Sequence, residues 1–301
     1  MSEAGATAGE EAVLECQELE DASAPLRQGD VLEWLADTGD PLRRFAIVVT
    51  ADCDLAHRKH SGLLACVPVI EHERYLALFT LSARLEKAQG KLLEAATALI
   101  RRLQEANRPD FPIAMSDAAI FEWVDAVAPD EIVRELRVTE EKDARRLIEL
   151  TTAIRTCSGA AADGDFDTQL DALANAWLVT QAKSGFAERR QALARDVLST
   201  LSNLPGDAVF LHGLSPQYRL GYVAYLRAIL NVDEAAVARR VTDLRDSTVA
   251  AKRIARLTSP YVFHLSQALG HVFSAIGLPD HYEASRDAFI TRRAGVYGAD
   301  A

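Results

Sequence analysis

The chain has 301 residues, 49% of them hydrophobic and 26% charged, with a formal net charge of −11. That composition suits one large or two ordinary globular domains with a full apolar core, and it excludes a low-complexity or collagen-like chain. No run approaches the ~20 apolar residues of a membrane span, and the opening MSEAGATAGEEAV lacks the basic and apolar segments of a secretory signal.

The charge is unevenly placed. Residues 1–40 hold eleven acids and a single base, Arg27, whereas residues 235–301 hold nine bases and six acids. Residues 1–24, rich in Ala, Glu, Gly and Ser, are expected to be a disordered acidic leader, with at most a helical turn at Glu11–Leu19. The leader reads either as a solvated tail or as a shield over a basic surface elsewhere. Nucleic acid is not favoured as a partner by the net charge, because phosphate binding requires segregated positive charge. The four cysteines (Cys16, Cys53, Cys66 and Cys157) form no CxxC pair, and a chain of this length needs no disulfides. A cytoplasmic location follows.

Order is expected to begin at Arg27-Gln28-Gly29-Asp30, where Gly-Asp is a turn pair before a strand at Val31–Leu35. Asp37–Pro41 reads as a loop. Apolar runs bounded by turn residues predict strands at about 44–50 and 63–70. From Arg74 onward the apolar residues take helical spacing: Leu81, Leu85, Ala88, Leu92, Ala96 and Ile100. Arg108–Pro112 should break that helix, and Asp117–Ala128 reads as irregular or half-extended. Pro129-Asp130-Glu131 is a helix start running to about Cys157. Ser158–Gly164 reads as a loop, and a long helix follows over 165–203 with a kink near Ser184-Gly185. Ala208–Leu211 and Tyr218–Ile229 read as strands, and 233–257 as helix. Thr258 or Ser259 then caps a final helix with Pro260 at its first position, and Gly277-Leu278-Pro279 stops it.

Asp52-Cys53-Asp54 at the end of an apolar strand is the strongest local signal of a site, since polar groups at strand ends are where sites commonly sit. In extended backbone the two carboxylates share one face and Cys53 takes the other. Three readings stay open. Cys53 packs while an Asp caps the following turn; the group binds zinc with His57 and His60, although both histidines sit in a Lys/Arg-rich turn that reads as exposed; or Cys53 is a nucleophile beside a cation such as Arg44 or His57. The second cluster is Arg253, Arg256, Ser259, Tyr261 and His264. It reads as an anion site at a helix N-terminus or as an ordinary capped helix. Glu71–Arg74 reads as a solvated loop.

The order Arg27-Gln28-Gly29-Asp30-Val31, Arg43-Arg44 before an apolar strand to Thr50, and Leu64–Pro68 resembles the small β-barrel of the MazF/PemK-type toxins. Gly221–Leu230 is similar to a later strand of such barrels. The resemblance implies RNA cleavage with an arginine, here Arg43 or Arg44, and a hydroxyl residue after the V-P strand, where this chain has Val69, Ile70 and Glu71. Asp52-Cys53-Asp54-Leu55, with Arg256–Gln267 and Gly277-Leu278-Pro279, resembles a group of bacterial proteins that accompany defence or mobile gene clusters.

These readings converge on an α+β, predominantly helical fold with a small antiparallel SH3/MazF-like β-barrel split by a helical insertion. The expected segments are the leader (1–24), first barrel part (25–77), inserted bundle (78–204), later barrel strands (205–232) and C-terminal helical segment (233–301). The expected function is an interaction or sensor subunit of a bacterial defence or stress cluster. Its partner is a protein from the same cluster, homodimer formation stays open, and no cofactor, metal or membrane is involved. Binding residues are Arg27, Asp30, Arg253, Arg256, Ser259, Tyr261 and His264. The alternative is a divergent MazF-like ribonuclease or other hydrolase, with Arg44, Asp52, Cys53 and Asp54 as catalytic residues.

Overall fold

A computed structural model describes residues 15–19, 21, 23–107, 115–181, 185–274 and 280–298. The breaks expected at 108–112 and 277–279, and the leader before Glu15, lie outside the described residues. The elements in chain order are β1 (Cys16–Gln17), β2 (Asp30–Trp34), β3 (Phe45–Val48), α1 (Asp52–Ala56) and β4 (Leu63–Glu71), then α2 (His72–Leu76) and α3 (Ser82–Asn107). The helices α4 (Asp117–Ala126), α5 (Pro129–Glu135), α6 (Glu141–Asp163), α7 (Phe166–Gln181) and α8 (Phe186–Ser199) follow. The chain then returns to strands β5 (Ala208–Leu211), β6 (Tyr222–Tyr225), β7 (Leu230–Asp233), β8 (Val237–Ala238) and β9 (Ala251–Leu257), and finishes with α9 (Ser259–Ser274) and α10 (Asp280–Gly298). The fold is α+β, with 59% helix and a curled, largely antiparallel half-barrel sheet.

Two compact units divide the chain. The first comprises Met1–Val69, Pro205–Arg219 and Ala224–Ala301; the second comprises Ile70–Leu204 and Leu220–Val223. The sheet runs β1-β9-β2-β3-β4-β6-β5, with β7 also beside β4 and β8 parallel to β9. All of β3 is buried, as are most residues of β4, which is why both read as continuous apolar runs. Alternate residues Leu32, Ala46, Val48, Leu64 and Cys66 point into one core with Val232 and Ala251, and Trp34 and Leu55 pack against it. Burying Phe45 or Ile47 completely stabilises the unit by roughly 1.5–3 kcal/mol each.

Gly29 has φ +88°, and a Cβ there would lie 2.5 Å from Val262 Cγ2 of α9. Only glycine suits that backbone and that approach. It precedes the β2–β9 pairing, whose register shifts between Val31 and Leu32. Asp30 is paired with Arg256 in that register, and the shift lets Arg253 reach the same carboxylate.

The second unit is helical. Leu85, Leu92, Ala96 and Ile100 of α3 are buried at helical spacing as expected, and α3, α6 and α7 pack on one another with α8 against α7. Arg74 Nη1 donates to Gly164 O at 2.5 Å, holding the glycine (φ +67°) that ends α6.

Several local expectations are corrected. Asp52–Asp54 begin a short helix rather than end a strand. Cys16 and Gln17, placed in the leader, form a strand against β9, and Glu15 is buried. Asp117–Ala126 is a helix, because Ser116 Oγ accepts the Ala119 N–H as an N-cap. The helix from Pro129 stops at Glu135, and α6 runs on through the expected loop to Asp163. Glu71 closes β4, and His72–Arg74 open α2 rather than a loop. The strand expected over Tyr218–Ile229 is confined to Tyr222–Tyr225. The helix expected over 233–257 is instead short turns and β8, followed by β9, whose burial alternates residue by residue. Among the described residues, no helix is long and apolar enough to cross a membrane.

Candidate functional site

The first unit carries two hollows at α1. This helix follows β3 directly: Ala51 is extended and Asp52 and Asp54 fall in the first turn, where carboxylates complement the helix dipole. Asp52 Oδ1 accepts the Gln28 N–H at 2.9 Å, and Gln28 Nε2 donates to Ser266 Oγ of α9 at 2.9 Å. The chain leaves α1 through Arg58 and Ser61, each at φ +53°, and Gly62 at φ +80°. Two non-glycine residues in left-handed backbone within one short connection concentrate strain here.

That connection turns His60 inward. The side chain is 5% exposed, against the sequence reading of a solvated turn. Nδ1 lies 3.2 Å from Asp54 O and Nε2 lies 2.8 Å from Glu234 Oε2. Both neighbours accept, an arrangement that favours the doubly protonated ring. The Glu234 carboxylate, aided by the Asp54 carbonyl, raises its pKa above 6.5. With both ring nitrogens engaged, His60 clasps the α1–β4 connection to Glu234.

The larger hollow, about 780 Å³, is lined by Arg58, His60, Glu234, Arg239, Asp243 and Asp246 among others. A neighbouring hollow of about 410 Å³ is lined by Leu26, Arg27, Asp52 and Ala56, and both share Leu55 and Glu234. Asp243 accepts the Arg239 and Arg240 amides at 3.1 and 2.9 Å, and Asp246 accepts the Thr248 amide at 2.9 Å. Those amides hold both carboxyls below the ordinary range. Those bonds fix the carboxyls in place and leave them charged, and Arg58 and Arg239 beside them have no ion-pair partner among the described residues.

The residues singled out from sequence are distributed differently. Arg44 precedes β3 and Asp52 follows it, with Phe45–Val48 between them. A strand of that length spans about 13 Å, so the expected Arg44/Asp52-Cys53-Asp54 grouping is not assembled. The Arg44 guanidinium sits 5.3 Å from the centroid of the Phe45 ring. Cys53 is exposed rather than packed, with Sγ 3.8 Å from Asp54 Oδ1. Thr50, two residues before this helix, accepts the backbone N–H of Ala65.

Asp30, Arg253 and Arg256 do come together, but inside the fold. Asp30 is fully buried, accepts from Arg256 Nε at 2.5 Å and Arg253 Nη1 at 3.2 Å, and takes the Arg27 N–H at 2.9 Å. Both arginines also reach Pro25 O. The Arg253 side chain is 1% exposed, so the expected anion site at the start of α9 is replaced by a buried ion network. Ser259 and His264 are exposed on α9 and Tyr261 is half-buried. Arg27 lines the smaller hollow.

Sequence reasoning missed Arg58, Arg239 and Glu234. No spacing links them to Asp52, because the cleft is made by bringing β7 and the turn after it alongside β4. Among the described residues, no group of three or more His, Cys, Asp and Glu side chains is placed to hold a metal ion. Compared with protein-family models, curated proteins and solved structures, the chain matches none.

Proposed function

We propose that this chain is a cytoplasmic interaction or sensor subunit of a bacterial defence or stress gene cluster, in which a sheet of SH3/MazF-like ancestry receives a protein partner in the cleft beside α1. One observation carries the reading. The cleft offers two uncommitted guanidiniums, Arg58 and Arg239, while its acids and its histidine are already engaged. The acids beside them (Asp233, Glu234, Asp243 and Asp246) keep their charge, so the cleft supports recognition of a partner segment of mixed charge, whose carboxylates meet Arg58 and Arg239 through paired N–H donors.

The test is a native pull-down of the tagged chain from a bacterial host carrying its own gene neighbourhood, read by mass spectrometry and by nuclease treatment of the eluate. A stoichiometric protein partner lost in Arg58→Glu/Arg239→Glu, but kept in Arg44→Ala, supports the reading. Co-purified RNA that shortens with time, with Arg44→Ala blocking the shortening, replaces it with the MazF-like ribonuclease.

A further inference from the structure

The helical unit holds a second concave feature that does not depend on the cleft beside α1. A pocket of about 380 Å³ opens between α3, α7 and α8. Its polar rim includes Arg84, Lys87 and Lys91 from one face of α3 and Arg189 from α8, and among the described residues no Asp or Glu lines it. The floor is apolar, made by Ala88, Leu173, Ala176 and Leu193 beside the Trp177 ring.

Three features of these side chains favour an anionic ligand. Lys87 and Lys91 stand one turn apart on an exposed helix face with no ion-pair partner among the described residues. Like charges at that spacing oppose helix formation. Arg189 lies with its guanidinium 4.5 Å from the Trp177 ring centroid, and its Nε is buried without a hydrogen-bond partner. Arg84 is paired, but only with the exposed Asp196. In a chain of net charge −11, this local concentration of positive charge over a low-dielectric floor draws anions towards the pocket.

We propose that this pocket binds a nucleotide, with the base and ribose against Trp177 and the apolar floor and the phosphates on Lys87, Lys91 and Arg189. The division of the lining favours that class. Lysines act as point charges for phosphate and an arginine adds paired donors, while an indole beside an apolar floor suits a flat heterocycle. The volume lies within the range of about 300–1,000 Å³ typical of small-molecule sites. A single-stranded nucleic acid would instead need a groove tracking several successive nucleotides.

The experiment titrates the full chain with ADP and ATP by calorimetry, with inorganic phosphate and a short oligothymidylate as separate probes. A Trp34→Phe/Trp123→Phe background leaves Trp177 as the fluorescent reporter. Saturable one-to-one nucleotide binding is expected, with a change in Trp177 emission and weakening as salt rises. The exposed pair Lys87→Gln/Lys91→Gln should weaken it at least about tenfold while circular dichroism stays unchanged, and Lys87→Glu alone should act in the same direction. Absence of saturation overturns the proposal, as does affinity untouched by the lysine changes. Equal affinity for inorganic phosphate, or binding of the oligonucleotide alone, also overturns it. Loss of the protein partner in Arg58→Glu/Arg239→Glu is read separately, so either proposal can fail alone.

Discussion

His60 and Glu234, 174 positions apart in sequence, share a 2.8 Å hydrogen bond that ties the α1–β4 connection to the turn after β7. The charged imidazole is the form that this bond stabilises, so its folded pKa lies above its ordinary 6.5. Stability from such a group is fully present below the unfolded pKa and is lost as pH rises through the folded one. The melting-temperature gap between wild type and Glu234→Gln should therefore be widest below His60's ordinary pKa of 6.5 and narrow as the pH rises above it. A gap that does not change with pH would show that the carboxylate contributes nothing through the imidazolium.

Asp30 predicts a different kind of loss. Removing it takes from Arg253, whose side chain is 1% exposed, and from Arg256 the buried carboxylate they share. Asp30→Ala should cost about 3–5 kcal/mol in urea unfolding, because the network of buried charges loses its anion. Replacing Asp30, Arg253 and Arg256 together with apolar residues should cost less than that single change. A larger loss in the triple variant would mean that the network itself stabilises the sheet.

Gly29→Ala tests the approach of α9 to the sheet. The new methyl meets Val262 Cγ2, and the backbone stays at φ +88°. Destabilisation of about 1–3 kcal/mol is expected. Adding Val262→Ala should recover the steric part and leave the backbone part, which chemical denaturation of the four-member cycle resolves.

Thiol labelling separates the four cysteines. Burial pushes the Cys16 and Cys66 thiols up to about 12 and Cys157 up to about 11, whereas Cys53 is exposed on α1. Iodoacetamide should modify Cys53 alone in the native protein and all four after unfolding. Peptide mapping that finds Cys66 modified at native pH would contradict the packing of β4.

In the helical unit, Thr97 is buried with its Oγ1 unpartnered. Thr97→Val removes a desolvated hydroxyl at nearly constant shape and should raise unfolding stability by about 1 kcal/mol. A loss of similar size would place a bound water on that oxygen.

The strands β3 and β4 were legible because their residues are apolar on both faces, so a short run between turn residues is unambiguous, and β2 was legible from the Gly29-Asp30 turn pair at its start. The Leu85–Ile100 stripe was legible for the corresponding helical reason. What failed has a common cause in tertiary context. The buried faces of β9 alternate as Ala251, Arg253, Ala255 and Leu257, and an arginine in a core position hides the period of two from any hydrophobicity reading. The partner that makes Arg253 acceptable there, Asp30, is 223 residues away. His60 was misread for the same reason, since a histidine flanked by Arg58 and Lys59 looks solvated until Glu234 is supplied. Asp52-Cys53-Asp54 was read as the end of a strand with Cys53 packed, whereas it opens a helix with Cys53 exposed, because five helical residues are too few to show a period of 3.6.

The pairing of β2 with β9 has a consequence for the nascent chain. The N-terminal strands leave the ribosome long before Ala251–Leu257, which flank β2 and bring the arginines that neutralise Asp30. The helices encoded in between are built on local contacts and can form meanwhile. The strands β2, β3 and β4 must wait, with apolar faces and open edges exposed to other chains. Synthesis rate and chaperone occupancy, more than equilibrium stability, then govern the yield of folded protein, and a message truncated before β9 gives an insoluble product.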